Sequence, residues 1–405
     1  MSFFDFNKKK KKISLLFELR GDAVASSIIK THIQEKPEIL YSNKRTVTNR
    51  EKIDPKKYAQ ILMKELDKLV EETYKVGILK ILKVLDKNIE ISDVHVVLSS
   101  PWVLSQSKNI RIKKNKGFQI NREFLQNILL NEENNLSSPE IFYKKDDRRD
   151  DNILLIEEKI VQSKLNGYKV HSIFEKFVTC LELNLFLSVS NYFFIENIKK
   201  VISKTFIRKP IFFHSFVLAG FSVIRDIVPH NNDYIFVDIG AEVTDICFVN
   251  DSAIHSVYTY PFGKNNIVRK IVEKTKNTYD TVISLINMQC DNKCDERALT
   301  INEKALDESV SDWASGLYKI FTSLTSKGGI PRDIILLIDD KLANIIGKKI
   351  KTNKLKSFKM INNDFNVNFI NDNKFNNLVN KNKFFEDDFT LKICTIYLDK
   401  LTQKN

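Results

Sequence analysis

Apolar and polar positions change rhythm several times along the chain, and each change marks an element. ISLLFELRGDAVASSIIK (13–30) reads as strand, bend, strand, and residues 37–50 continue in extended, polar-interrupted pieces. DPKKYAQILMKELDKLVEETYKVG (54–77) predicts a helix: Asp54 is a good N-cap and Pro55 sits at the first helical position. Tyr58, Ile61, Leu62, Leu66, Leu69, Val70 and Thr73 fall on one face at three-and-four spacing. VHVVLSSPW (94–102) predicts a buried strand ending at a proline turn.

A different rhythm follows. KNIRIKK alternates as a strand, and INREFLQNILLNEE is an amphipathic helix. The mixed-charge run Lys144–Asp151 reads as a solvated loop. Two long apolar strands on either side of Asn166-Gly167 then lead into a helix over 191–206. The order strand, helix, strand, strand, helix predicts a small α+β insertion over 103–208. It interrupts a first lobe made of 13–102 and 209–230.

PIFFHSFVLAGFSVIRDI (210–227) returns to strand and helix. YIFVDIGAEVTDICFVND (234–251) is a hairpin whose bend carries a glycine between two aspartates. A third strand, a turn at Gly263 and a mostly helical stretch to about 326 follow. PRDIILLIDDKLANIIGKKI (331–350) reads strand, turn, helix, and the Asn- and Lys-rich 351–384 still permits strands. These elements predict a second lobe over 231–385, with an amphipathic helix over 386–405 closing the chain and packing on the core. No short repeat is evident, but an early and a late hairpin with acidic bends predict two related halves.

Composition narrows the chemistry. The 405 residues are 43% hydrophobic and 28% charged, which are globular values. The net charge is +13, but the lysines are scattered among acids rather than gathered with aromatics on one face, so no nucleic acid is expected. Cys180, Cys247, Cys290, Cys294 and Cys394 form no ligand pattern, and the six histidines show no metal-binding spacing. No G-x-S-x-G or Walker A sequence occurs. No secretory signal is recognised, and no apolar run reaches the ~18 residues of a membrane span. The tail 1–12, MSFFDFNKKKKK, puts Phe3, Phe4 and Phe6 before Lys8–Lys12 and predicts a weak peripheral membrane contact.

A bend of small residues between strands lets backbone N–H groups approach phosphate, and nearby carboxylates hold Mg2+ through water. The same residues also build an ordinary β-turn. The order around the later hairpin resembles the second phosphate motif of the actin-like ATPases, in the FtsA/PilM branch. Asp238, Gly240, Thr244 and Asp245 match that motif, as do Pro261 and Gly263. The resemblance is sharp over about 205–275 and follows element order elsewhere.

It implies an α/β, two-lobed, actin-like (ribonuclease-H-like) fold with an inserted small α+β domain and ATP with Mg2+ between the lobes. Phosphate-binding positions carried over are Glu18, Arg20, Gly21, Asp22, Asp238, Gly240, Glu242, Thr244, Asp245, Gly263 and Lys264, with Asp238 and Asp245 toward Mg2+. It also implies self-association and a partner that is either a membrane protein's cytoplasmic tail or the division tubulin, on the inner face of the cell membrane.

The chain departs from the pattern at telling places. Glu18 stands for an aspartate, Arg20 for a glycine, and Ala241-Glu242-Val243 for Gly-Gly-Thr. Lys264 replaces a second glycine, and Asp339 and Asp340 stand at the adenosine turn, where the family has glycines. Gly328-Gly329 precede that strand and do not replace them. Three readings follow: an actin-fold scaffold with reduced or absent ATPase activity, tethering division or type IV pilus machinery; an active, ATP-binding, polymerising FtsA-like protein; or a soluble α/β protein with an unrelated role.

Overall fold

A computed structural model describes residues 11–47, 54–83, 90–136, 153–228, 233–290, 296–325, 330–338, 366–370 and 373–403. The first ten residues, the Lys144–Asp151 loop, Gly328-Gly329 and the Asp339-Asp340 turn lie outside the described residues.

The chain opens with an antiparallel meander, β1 (Lys12–Leu19), β2 (Ala23–Thr31) and β3 (Glu38–Thr46). Lys12 belongs to that strand rather than to the tail, and its ammonium lies 2.6 Å from Asp93. Helix α1 (Pro55–Glu72) starts where expected, with the Asp54 side chain accepting from the Lys56 and Lys57 N–H groups. Its buried face is Tyr58, Leu62, Leu66, Leu69 and Val70, whereas Ile61 points to solvent. The helix continues as π-helical turns over Thr73–Leu82. There Gly77 lies so close to β2 and β3 that a Cβ would meet Tyr41 at 2.7 Å and Ile28 at 2.9 Å. Strand β4 (Asp93–Leu98) then pairs parallel with β1.

The insertion follows: β5 (Leu104–Gln119), α2 (Arg122–Leu136), β6 (Ile153–Leu165), β7 (Tyr168–Lys169) and β8 (Phe177–Asn191). Its sheet order is β5-β8-β6-β7. Asn166 and Gly167 both take positive φ, as a tight hairpin turn requires, but the turn joins β6 to the short β7 rather than directly to β8.

Helix α3 (Tyr192–Thr205) comes next in sequence, yet its Phe194, Ile195, Ile198 and Ile202 sit in the first lobe's core beside α1. A cut at 103–208 would therefore strip that core. The insertion sheet also reaches the second lobe. Ser107 and Asn184 donate to the Ile254 carbonyl at 2.5 and 2.8 Å, and Lys164 and Lys169 bind Asp251 at 2.8 and 2.5 Å.

Strand β9 (Ile211–Ser215) and helix α4 (Phe216–Ile227) complete the first lobe. The second lobe repeats the plan. Strands β10 (Tyr234–Ile239), β11 (Thr244–Asn250) and β12 (Ala253–Tyr260) form a meander. Helices α5 (Lys264–Thr275), α6 (Tyr279–Cys290) and α7 (Glu296–Thr325) follow, then the parallel strands β13 (Asp333–Leu337) and β14 (Asn366–Phe369). The short α8 (Asn373–Asn376) and β15 (Asn380–Lys381) lead to helix α9 (Phe389–Gln403).

The two large sheets run β15-β3-β2-β1-β4-β9 and β12-β11-β10-β13-β14. Leaving out β15, both have the order third, second, first, fourth, fifth with the same directions, so the two halves are one plan used twice. The first strand of each is buried on both faces. Leu15, Phe17 and Leu19 enter the outer core of lobe one while Leu16 faces the centre. Likewise Ile235, Val237 and Ile239 face α5–α7, and Tyr234 and Phe236 face the centre.

That centre holds α4 and α9. Helix α9 is buried along Thr390–Leu398 with no exposed stripe, and it packs on the first lobe's Leu16, Ala25 and Ile29. The expectation of an amphipathic helix is corrected, and the helix packs on Phe375 of the preceding segment as well as on the first lobe. A helix enclosed on every side needs no polar face.

Candidate functional site: a closed phosphate cleft and an open groove

Both acidic bends lie at the same end of their sheets and face each other. In the first, the Arg20 N–H donates to the Ala23 carbonyl at 2.9 Å and closes the turn. Glu18 is wholly buried behind it and receives the Thr390 hydroxyl of α9 at 2.8 Å. Its other oxygen has no hydrogen-bond partner among the described residues. Burial pushes its carboxyl up to about 8, against the opposing pull of Arg20. Arg20 also turns to α9, donating to the Thr390 hydroxyl at 3.0 Å. Asp388 caps that helix, accepting from the Thr390 and Leu391 N–H groups. Glu18 and Arg20 thus fasten the first bend to the central helix.

In the second bend the Gly240 N–H donates to the Val243 carbonyl at 2.9 Å. Asp238 and Asp245 are cross-strand partners. Asp245 is buried, accepts from Thr259 at 2.7 Å, and is pushed up to about 6 by burial, opposed by hydrogen bonds from Thr259 and Ser100. Thr244 turns inward, donating to the Phe262 carbonyl and accepting from the Trp313 indole. Glu242 is gripped by Arg269 at 2.5 Å and Asn265 at 2.8 Å. A Cβ on Gly263 would come within 2.5 Å of the Gly240 and Ala241 carbonyls. Those carbonyls accept the first N–H groups of α5, Lys264 at 3.0 Å and Asn265 at 2.8 Å.

The bends touch each other. A Cβ on Gly21 would lie 3.0 Å from that of Ala241. The Lys264 ammonium meets the Asp22 carboxylate at 2.6 Å. The remaining cavity, lined by Arg20, Gly21, Asp238, Gly240, Asp245 and Thr390 among others, holds about 10 Å³, room for one water.

Of the carried-over positions, the structure gathers Arg20, Gly21, Asp22, Asp238, Gly240, Asp245 and Lys264 around the contact between the bends. Glu18 and Thr244 face inward, Glu242 faces Arg269, and Gly263 packs on the second bend. Ser99 and Ser100, at the end of β4, also line the cavity. Their place beyond a parallel strand next to β1 is a signal the sequence does carry. Thr390 carries none.

Among the described residues, the space between the bends as they stand is too small for the phosphates of ATP. A drug-sized ligand needs a cavity of roughly 300–1,000 Å³.

A groove of about 1140 Å³ opens elsewhere, along the seam between the first lobe and the insertion. Met63 of α1, Trp102, Leu104, Ile153 and Phe193 and Phe194 of α3 supply its apolar lining. Lys56, Lys200 and Lys204 also line it, and no acidic residue does among those described. Trp102 stacks on Phe194 at 4.8 Å, and its indole N–H donates to the Arg20 carbonyl at 2.9 Å. The groove wall is thereby bonded to the first acidic bend.

No protein-family description and no curated protein matches the chain. Solved structures do. The chain is similar to a PilM-PilN type IV pilus biogenesis complex at 12% identity, covering 96% of each chain with a TM-score of 0.57. A Bacteroides thetaiotaomicron protein with actin-like ATPase fold and unknown function aligns at 10% identity over 97% of this chain and 99% of its own, with a TM-score of 0.43. The first likeness carries the fold: the chain has the two-lobed fold of the actin-like ATPases.

Proposed function

We propose that the chain is an actin-fold scaffold of the FtsA/PilM type whose cleft does not turn over ATP, and that it holds a short cytoplasmic segment of a membrane protein in the seam groove. The observation that carries this reading is the contrast between the two concavities. The cleft between the bends has room for one water, while the groove is about 1140 Å³, apolar and rimmed by lysines. That lining suits an extended apolar segment bearing acidic residues.

The similar solved structure is a complex of PilM with PilN in type IV pilus biogenesis, and the proposal takes a pairing of that kind over to this chain. Among the described residues no helix is long and apolar enough to cross a membrane. The partner, assisted by weak contact through Phe3, Phe4, Phe6 and the lysines after them, would bring the chain to the bilayer.

Fluorescently labelled cytoplasmic tails of the host's inner-membrane proteins test this by anisotropy. One or more should bind, less tightly at high salt. Phe193→Ala and Lys200→Glu, both at exposed positions, should each weaken binding about tenfold. Tails that ignore both substitutions, or a full panel that fails to bind, would refute the groove.

A further inference from the structure

The Asp22–Lys264 ion pair joins the two acidic bends, one from each lobe. We propose that Asp22 is a built-in surrogate for a phosphate: its carboxylate takes the anion's place between the bends and keeps the lobes closed without nucleotide.

Four observations support it. The carboxylate lies between two cations on opposite lobes, Lys264 Nζ at 2.6 Å and Arg20 Nε at 3.8 Å. Both side chains of the cross-lobe pair are largely shielded, at 11% and 22% exposure, so solvent screens the pair weakly. The backbone bearing Asp22 is fixed, because its carbonyl accepts the Val47 N–H at 2.6 Å. Finally, the N–H groups of Lys264 and Asn265 are already committed to the Gly240 and Ala241 carbonyls. The other carboxylate nearby, Glu242, is held by Arg269 and Asn265.

In an ATP-dependent relative, closure would come and go with the ligand. Here the anion is covalently part of lobe one, so its effective concentration at Lys264 is fixed by the fold. The inference shares the closed cleft with the scaffold reading but does not depend on the groove.

Hydrogen exchange of the full chain, followed by mass spectrometry, tests it. Asp22→Asn keeps the shape and removes the charge. The amides of 240–243 and 264–266 should then exchange about tenfold faster, and in Asp22→Ala, which also vacates the carboxylate's space, inorganic phosphate should slow them again. Unchanged exchange in Asp22→Asn, or no response of Asp22→Ala to phosphate, would each overturn the proposal. Tail binding measured on the same proteins reports on the groove separately.

Discussion

Replacing Glu157 with alanine is expected to lower the stability of the folded chain by about 3–5 kcal/mol in urea unfolding. Glu157 reaches from β6 of the insertion into the body of the protein. There it accepts from His214 at 3.2 Å, from the Ser215 N–H and hydroxyl at 3.0 and 2.8 Å, and from the Tyr397 hydroxyl of α9 at 2.9 Å. Its truncation leaves several buried donors without an acceptor. Burial alone would raise its pKa, but the hydrogen bond and charge of His214 hold it below the ordinary value. Its contribution is therefore present above the unfolded value of 4.5 and is lost as pH falls through the lower, folded one.

His95, 3.0 Å from His214, has its pKa lowered by burial from an ordinary 6.5. The folded chain keeps it neutral where the unfolded chain would protonate it. Stability thus begins to fall as pH drops below about 6.5, before the carboxylates contribute. A Glu157→Ala loss under about 1 kcal/mol, the range of an exposed pair, would show that this cluster does not join the insertion to the body.

Glu18→Gln should do the reverse and stabilise the chain at alkaline pH. The Glu18 carboxyl is raised from 4.5 to about 8, chiefly by burial. It stays protonated in the fold while the unfolded chain ionises. Its contribution is complete below pH 4.5, declines above it, and is gone once pH has risen through about 8. Glutamine keeps an oxygen for the Thr390 hydroxyl and has no proton to lose. Thermal or urea unfolding between pH 5 and 9 should show a falling stability for the natural chain and a flatter one for the variant. The gap should reach about 2–4 kcal/mol near pH 8. Parallel curves would mean that Glu18 is ionised in place and that Arg20 carries its charge.

The frame of the molecule was legible because it rests on local patterns. Alternation gave the strands, Asp54-Pro55 the start of α1, and the paired acidic bends the doubling of one plan. Asp238, Gly240 and Asp245 stood in a hairpin that sequence spacing alone can find. What closes the cleft was not legible, because it depends on residues far apart in the chain. Glu18 and Arg20 meet Thr390 from the other end of the sequence, and Asp22 meets Lys264 only after both lobes have folded. The central place of α9 was hidden for a related reason. Lys392 and two threonines gave it an amphipathic look, yet Lys392 is fully buried, with its ammonium 2.5 Å from Asp387 and 3.0 Å from Asn376. A buried lysine with its partners in place reads in sequence like a surface one. The groove was missed because its walls come from α1, the turn after β4, and α3, none of them marked as a site on its own.

Titration of the full chain with ATP and Mg2+, followed by single-turnover analysis of phosphate release, tests the central claim most directly. A cleft closed by Asp22 and Lys264 predicts no saturable binding heat and no release above the rate in buffer. Saturable binding with phosphate release at the rate of an intact actin-like ATPase would contradict it.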